Sequence, residues 1–472
     1  MHTQFTSAQL ADPRLAEADS IIRACVRHGF CPQTCPTYVL LGDENDSPRG
    51  RIDLIRAMLE QGGAPPAATV RHIDRCLSCL SCETTCAARV EYRHLADRAR
   101  AHIEMHYRRP WRERWLRRLL ASVLPHPGRL RVALALARLG RPFARWLPGR
   151  LRGLIESVPP AADVDTTGNA APPHATATPH REVALLSGCV QQVLGAHINA
   201  ATVRVLERHG CRVHVAPDAV CCGALTLHMG READGLAAAR TAIAAWERLL
   251  AEHPLTAIVV NTSGCGTTLK DYGRLFAHDP DWQPRAARIA GLVKDISELL
   301  AELPLAPRTD VPELPVAYHD ACSLQHGQGL VAPPRNVLRR LGFALREVPE
   351  RHFCCGSAGT YNLLQPAIAT RLGERKAQHV AATAAVLFTA GNLGCLLQIG
   401  RYSALPGVHT VELADWATGG PLPPALAGLD LTAYPPRTSA AGPGAAAPAA
   451  DEINFWLYAP PTVAEETTPR AH

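Results

Sequence analysis

Cysteine spacing near the start of the chain constrains its fold more than any other feature. The first run reads Cys25-x5-Cys31-x3-Cys35, followed by Pro36; the second reads Cys76-x2-Cys79-x2-Cys82-x3-Cys86. Three thiolates with two-residue gaps can wrap three corners of one iron–sulfur cube, while the fourth points away and reaches a second cube. On that rule Cys76, Cys79, Cys82 and Cys35 hold one [4Fe–4S] cluster. Cys25, Cys31, Cys86 and residue 28 hold the other. Residue 28 is His28 where the pattern wants Cys, and Ala87 stands where Pro is usual. Both departures fall on the second cluster. Imidazole can replace thiolate on iron, so His28 ligation, a three-iron cluster and loss of that cluster stay open. Paired Cys-x2-Cys also builds closed zinc sites, but a half-degenerate twin upstream suits iron–sulfur better.

The chain has 472 residues, 47% of them hydrophobic, which fits about three soluble domains. Sixteen cysteines are too dilute here for a small disulfide scaffold. The first 30 residues carry neither an apolar leader core nor a twin-arginine start, so export is not expected. Clustered thiols in a reducing cytoplasm then read as metal ligands. No apolar stretch approaches the length of a membrane span. The net charge of +6 is unevenly spread, because residues 107–152 hold thirteen arginines against one acid, Glu113. Trp111, Trp115, Leu116, Leu119, Leu120 and Val123 recur there at helical spacing. A basic amphipathic segment over 107–156 fits an anionic membrane surface, an acidic partner subunit, or a solvated hairpin between domains. Nucleic acid is not expected, since no binding motif accompanies the charge.

A helical pattern over 47–61, with apolar residues at 52, 54, 55, 58 and 59, separates the two cysteine runs. That insert predicts an α-helical ferredoxin domain over 1–106 rather than the compact βαβ kind. A Pro/Ala/Thr linker is read over 157–181, and a Pro/Ala-rich tail without assigned function over 433–472. Between them lies an internal repeat, over 182–303 and 304–432. The first copy has Cys189, Cys221-Cys222-Gly223 and Cys265; the second has Cys322, Cys354-Cys355-Gly356 and Cys395. In each, 31 residues separate the first Cys from the pair. Duplicated spacing is a strong signal. Apolar strands alternate with helices in both copies, which predicts two mostly parallel sheets, so the fold class is α plus α/β. The cysteines fall where strands end, the edge at which such sheets place ligands. Four thiols per copy are expected to converge, as ligands of a further cluster or as structural thiols, with inert buried cysteines the alternative. His319 and Asp320 read as a hydrogen-bonded pair at a strand end. No residue set reads as an acid–base or nucleophilic site, and no Gly-x-Gly-x-x-Gly marks a flavin or nicotinamide site.

The combination of two ferredoxin half-sites with two Cys-Cys-Gly domains resembles the iron–sulfur subunits of bacterial glycolate oxidase over roughly residues 20–420. The stretches beginning at Cys31, Leu41, Ser47, Cys82, Gly188, Ile198 and His352 carry that resemblance most specifically. It implies a non-catalytic electron carrier working with two flavin-type subunits that oxidise glycolate to glyoxylate. Electrons would leave toward a quinone or another respiratory acceptor, from a complex on the inner face of the cell membrane. The family's ligands carry over onto Cys76, Cys79, Cys82, Cys35, Cys25, Cys31 and Cys86, but not onto His28. The Cys-Cys-Gly domains also resemble those of heterodisulfide reductases, whose fullest motif ends in Cys-x2-Cys; here Thr268 and Gln398 take the last position. Two further readings are the iron–sulfur subunit of anaerobic glycerol-3-phosphate dehydrogenase and a zinc-stabilised adaptor that binds partners.

Overall fold

A computed structural model describes residues 1–140 and 180–435 of the chain. The remainder of the basic segment, most of the 157–181 linker and nearly all of the tail lie outside the described residues.

The N-terminal unit is a set of helices around one apolar core. Helices Pro13–Ala24, Pro48–Gln61, Ala67–Asp74 and Tyr92–His106 bury Ile22, Ile55, Ile73, Leu95 and Ile103 against one another. Helix Pro48–Gln61 shows why the sequence folds so. The Ser47 side chain accepts from the Gly50 N–H at 3.0 Å, Pro48 fills the first turn, and Gly62 (φ 67°) stops it. Each device satisfies or removes an orphaned backbone group. Ile52, Ile55, Met58 and Leu59 form the buried face, while Leu54 is half-buried at its margin. Fully burying such a side chain is worth about 1.5–3 kcal/mol.

Helices Trp111–Val123 and Pro127–Gly140 follow as a hairpin. Its inner side packs Leu116 and Leu120 on Met229, and Leu130 and Leu134 on Val193. Arg109 and Arg117 pin it to the ferredoxin unit through Asp74, at 2.6 and 3.2 Å. Its other side leaves Trp111, Trp115, Leu119, Val132, Leu136 and Leu139 exposed.

Each repeat copy builds one four-stranded parallel sheet. The first uses β1 (Arg181–Leu185), β2 (Cys211–His214), β3 (Leu255–Val260) and β4 (Val293–Asp295) in the order β2-β1-β3-β4. The second uses β5 (Pro315–Tyr318), β6 (Ala344–Glu347), β7 (Leu387–Ala390) and β8 (Gly407–His409) in the equivalent order β6-β5-β7-β8. In that order the chain reverses direction across the sheet between the first and third strands, opening a crevice at their carboxyl ends.

The copies meet face to face with equivalent elements exchanged. Helix Ala196–Arg208, which follows β1, packs on Thr410–Ala417, which follows β8; helix Ala332–Arg340, after β5, packs on Ile296–Glu302, after β4. One continuous core runs through both, from Val183, Val205 and Leu300 to Val316, Leu338 and Leu413. Arg204 and Arg208 reinforce it by binding the buried Asp415, at 2.6 and 2.9 Å.

Candidate metal centres

The second cysteine run follows helix Ala67–Asp74 and winds through two left-handed residues, Ser78 (φ 51°) and Leu80 (φ 62°). Such backbone is costly for residues with a Cβ and marks sites where the surroundings impose it. It turns Cys76, Cys79 and Cys82 toward a single small void of about 20 Å³, and Cys35 lines the same void from the start of helix Pro36–Leu41. Arg51 and Tyr92 line it as well. The structure thus gathers Cys35 with the three closely spaced thiols of the other run.

Buried thiolates require compensation, and here it is built in. Burial pushes the Cys79 and Cys82 thiols well up, and the neighbouring sulfurs add to the shift. Cys76 is equally buried, yet its thiol is held below the ordinary value because Arg51 and Arg100 outweigh that burial. The Ser78 N–H at 3.5 Å and the Tyr92 hydroxyl at 3.8 Å also donate to its sulfur. Arg51, with its side chain at 2% exposure, donates to His72 O (2.8 Å), Thr37 Oγ1 (2.9 Å), Asp46 Oδ1 (3.3 Å) and Cys35 Sγ (3.7 Å). Arg100 clamps the loop through Cys76 O at 2.8 Å and Ser78 Oγ at 2.6 Å. A pocket of convergent sulfurs with cations and N–H donors around it suits an anionic cluster.

These cations went unread in the sequence, although a signal exists. Arg51 stands at i, i+4, i+7 and i+8 with Ile55, Met58 and Leu59, on the apolar face of its helix. A charged residue there is one that must find partners inside.

Cys86 parts from its own run. It comes near Cys31, as Cys25 does; burial pushes Cys31 up to about 11, backbone hydrogen bonds led by that of Arg49 oppose the rise, and the charges of Cys25 and Cys86 add to it. His28 is exposed, its ring stacked with Phe30 at 6.2 Å between centroids.

The repeat thiols converge in both copies at the carboxyl ends of the strands. In the first, Cys189 hydrogen-bonds Cys221, and Cys222 hydrogen-bonds Cys265. Receiving the Cys189 hydrogen bond brings Cys221 down to about 7 despite burial. In the second, Cys322 Sγ lies 3.7 Å from Cys354 Sγ, and Cys355 contacts both Cys354 and Cys395. The glycine after each pair is left-handed, at φ 84° for Gly223 and 90° for Gly356, and a Cβ would meet Gly235 O at 2.5 Å or Ala369 O at 2.8 Å. Backbone must pass close there, which glycine alone permits.

Two features tie the thiol sets together. Cys79 and Cys322 both pack against one apolar cluster that contains Cys354, Leu77, Tyr361, Ile368 and Leu372, and the Cys322 sulfur adds to the upward shift that burial gives the Cys79 thiol. The contact is fastened by Tyr361 Oη donating to Arg75 O (3.0 Å) and by Thr84 Oγ1 bonding His326 Nδ1 (2.7 Å). Among the described residues, a cavity of about 990 Å³ also runs between the two repeat copies and the hairpin, reaching all eight repeat thiols and Cys76.

One expectation is corrected. His319 and Asp320 are not hydrogen-bonded to each other. Asp320 takes both guanidinium nitrogens of Arg335, at 2.7 and 2.6 Å, because Arg335 is anchored over the Tyr318 ring and also binds Glu347. His319 turns the other way, toward Cys355 and Cys395.

Comparison with known proteins identifies the same two kinds of domain. Residues 24–91 match the family described as "4Fe-4S dicluster domain", and residues 183–270 and 316–400 each match "Cysteine-rich domain". The chain is 41% identical to the "Glycolate oxidase iron-sulfur subunit" of Escherichia coli K12, over 88% of this chain and 99% of that protein. It is 34% identical to the "Probable glycolate oxidase iron-sulfur subunit" of Bacillus subtilis 168, over 83% and 92%. "Lactate utilization protein A" of Shouchella clausii is 30% identical over 46% of this chain and 90% of its own. A crystal structure of a hypothetical protein from Helicobacter pylori shares the fold, with a TM-score of 0.52 at 10% identity, covering 88% of this chain and 74% of that one. The cofactor implied is iron–sulfur, and the convergent, cation-flanked thiols fit it.

Proposed function

Because this chain belongs to the family of glycolate oxidase iron–sulfur subunits, we propose that it passes electrons from two flavin-type partner subunits oxidising glycolate toward the respiratory chain. Its role in a multisubunit oxidoreductase is electron transfer. Bound [4Fe–4S] clusters supply one-electron steps; the chain's own residues hold, insulate and space them. Cys76, Cys79, Cys82 and Cys35 are proposed to hold one cluster. Cys25, Cys31 and Cys86, with His28 as the candidate fourth ligand, hold the other.

The observation that carries this reading is the packing of Cys79 and Cys322 against one cluster that contains Cys354. It brings a ferredoxin-type thiol set beside a repeat thiol set across the domain boundary, which shortens the path for an electron between them. Substrate chemistry is assigned to the partner subunits and the acceptor is a quinone or another respiratory carrier, not NAD. No helix among the described residues is long and apolar enough to cross a membrane. Peripheral attachment to the inner face of the membrane is therefore proposed through the complex and through the hairpin. There Trp111, Trp115, Leu136 and Leu139 stand out of a surface that also exposes Arg112, Arg114, Arg118 and Arg131, a face complementary to anionic lipid. The relatives named above favour the glycolate reading over the glycerol-3-phosphate and zinc-adaptor ones.

The test is reconstitution. The chain alone should show no glycolate oxidation, and adding it to the flavin subunits should restore glycolate-dependent reduction of a quinone analogue. Restoration with glycerol 3-phosphate instead, or by a colourless zinc-only preparation, would overturn the proposal.

A further inference from the structure

Among the described residues, His319 is an anomalous polar group. It follows β5, is 1% exposed, and neither ring nitrogen has a hydrogen-bond partner. Buried imidazoles normally satisfy at least one nitrogen, and an orphan marks a missing ion, water or chemical role. The ring is not stranded in apolar packing. One of its nitrogens and the sulfurs of Cys355 and Cys395 all lie within 4.8 Å of one another. Two donors on one tetrahedral soft-metal ion are separated by roughly 3.5–3.8 Å, given metal–sulfur bonds near 2.3 Å and metal–nitrogen bonds near 2.0 Å. A shift of about 1 Å would therefore seat this triad on one ion. Cys322 and Cys354, 3.7 Å apart, stand beside it as further donors.

The repeat supplies an internal control. Counting three residues back from the leading cysteine gives His319 before Cys322 but Leu186 before Cys189, and Leu186 is buried too. The copies thus share four thiols and differ in the fifth donor.

We infer that His319 is a nitrogen ligand of a metal centre in the second repeat copy, together with Cys355 and Cys395, and that the first copy has no such ligand. The donor set is one imidazole with several thiolates, which suits a thiophilic d-block ion: iron in an iron–sulfur centre, or zinc. The inference rests on the repeat thiols binding metal but not on the identity of substrate or partners. Since Cys322 and Cys79 pack against the same cluster, an iron centre here would extend the conduit and a zinc ion would fix its end.

The experiment uses the full chain, purified anaerobically, with iron, zinc and acid-labile sulfide measured per chain. Variants are His319→Leu, which installs the first copy's own residue, and His319→Cys, which keeps a donor. The expected result is loss of one centre's metal in His319→Leu with the dithionite-reduced ferredoxin EPR signals unchanged, and recovery in His319→Cys. Nitrogen ligation is read directly in His28→Ala protein labelled with ¹⁵N-histidine: strong nitrogen coupling by pulsed EPR if the metal is iron, or nitrogen backscattering at the zinc edge if it is zinc. Either readout must vanish in the His319→Leu form. Equal metal content in wild type and His319→Leu, no metal beyond the ferredoxin sites, or absence of nitrogen coupling each overturns the inference while leaving the electron-transfer reading intact. A chain without iron and sulfide would instead overturn that reading.

Discussion

Arg51 offers a quantitative test of the cluster pocket. Its guanidinium lies 3.7 Å from Cys35 Sγ, so adding a metal–sulfur bond puts its charge about 6 Å from the cluster centre. With an effective dielectric of about 20, two unit charges at that distance interact by about 2.8 kcal/mol. For a one-electron couple 59 mV corresponds to a tenfold change, or about 1.4 kcal/mol, so removing the cation should lower the potential by roughly 120 mV. Arg51→Met is thus expected to move the midpoint down by about 100 mV, and Arg51→Lys by much less. Asp46 would lose one partner but keep Arg75 at 2.7 Å and His72 at 3.0 Å, so the stability loss should fall at or below the low end of the about 3–5 kcal/mol seen when a buried pair is broken. The double variant Arg51→Met with Asp46→Asn should recover part of that stability, and because it also removes a nearby negative charge its potential should return part of the way toward the wild-type value. Potentiometric EPR titration of the reduced cluster measures the shift. A midpoint that is unchanged or rises in Arg51→Met would refute the argument.

Other perturbations test the fold and its surfaces. Gly230 is left-handed at φ 81°, and a Cβ there would collide with Arg100 O; Gly230→Ala should cost about 2–4 kcal/mol and loosen the ferredoxin helix from the first copy, read as a lower Tm and faster proteolysis. Asp295 is raised from 3.8 to about 6, first by burial and against two Ser297 hydrogen bonds. The folded state then holds a proton the unfolded chain has released between about pH 4 and pH 6, so stability falls as pH rises through that window. Asp295→Asn keeps a helix cap and should flatten that slope, gaining about 1–3 kcal/mol at pH 7.5 in denaturant melts at several pH values. Replacing both Trp111 and Trp115 by Ser should reduce sedimentation with anionic vesicles several-fold without changing cluster content; unchanged binding would assign that face to another role.

Much of the site was legible because cluster chemistry writes itself as spacing. The two runs and the repeated Cys-Cys-Gly needed no tertiary knowledge, and strand-end placement followed from alternation of apolar runs with helices. The proposed crossing of Cys35 and Cys86 between thiol sets follows a rule of the motif; Cys35 lines a void with Cys76, Cys79 and Cys82, and Cys86 lies near Cys31. What stayed hidden depends on contacts between distant segments. Neither motif says that Cys79 faces Cys322, since that contact joins surfaces 243 residues apart in the chain. His319 and Asp320 show the same limit: adjacency in sequence suggests a pair, while Arg335, fifteen residues on, makes the stronger bidentate bond.

The exchange of equivalent helices between the two copies has a consequence for how the molecule comes apart. Val205 and Leu206 are covered by the other copy's last helix, and Leu299 and Leu300 by its first, so a chain cut near residue 304 would present to water the surface that is now its interior. Exposing apolar area on that scale turns each half into an aggregation-prone fragment rather than a smaller domain. The repeats are therefore two in sequence but a single cooperative unit in thermodynamics: they should melt in one calorimetric transition, and neither half should be recoverable from the other by limited digestion.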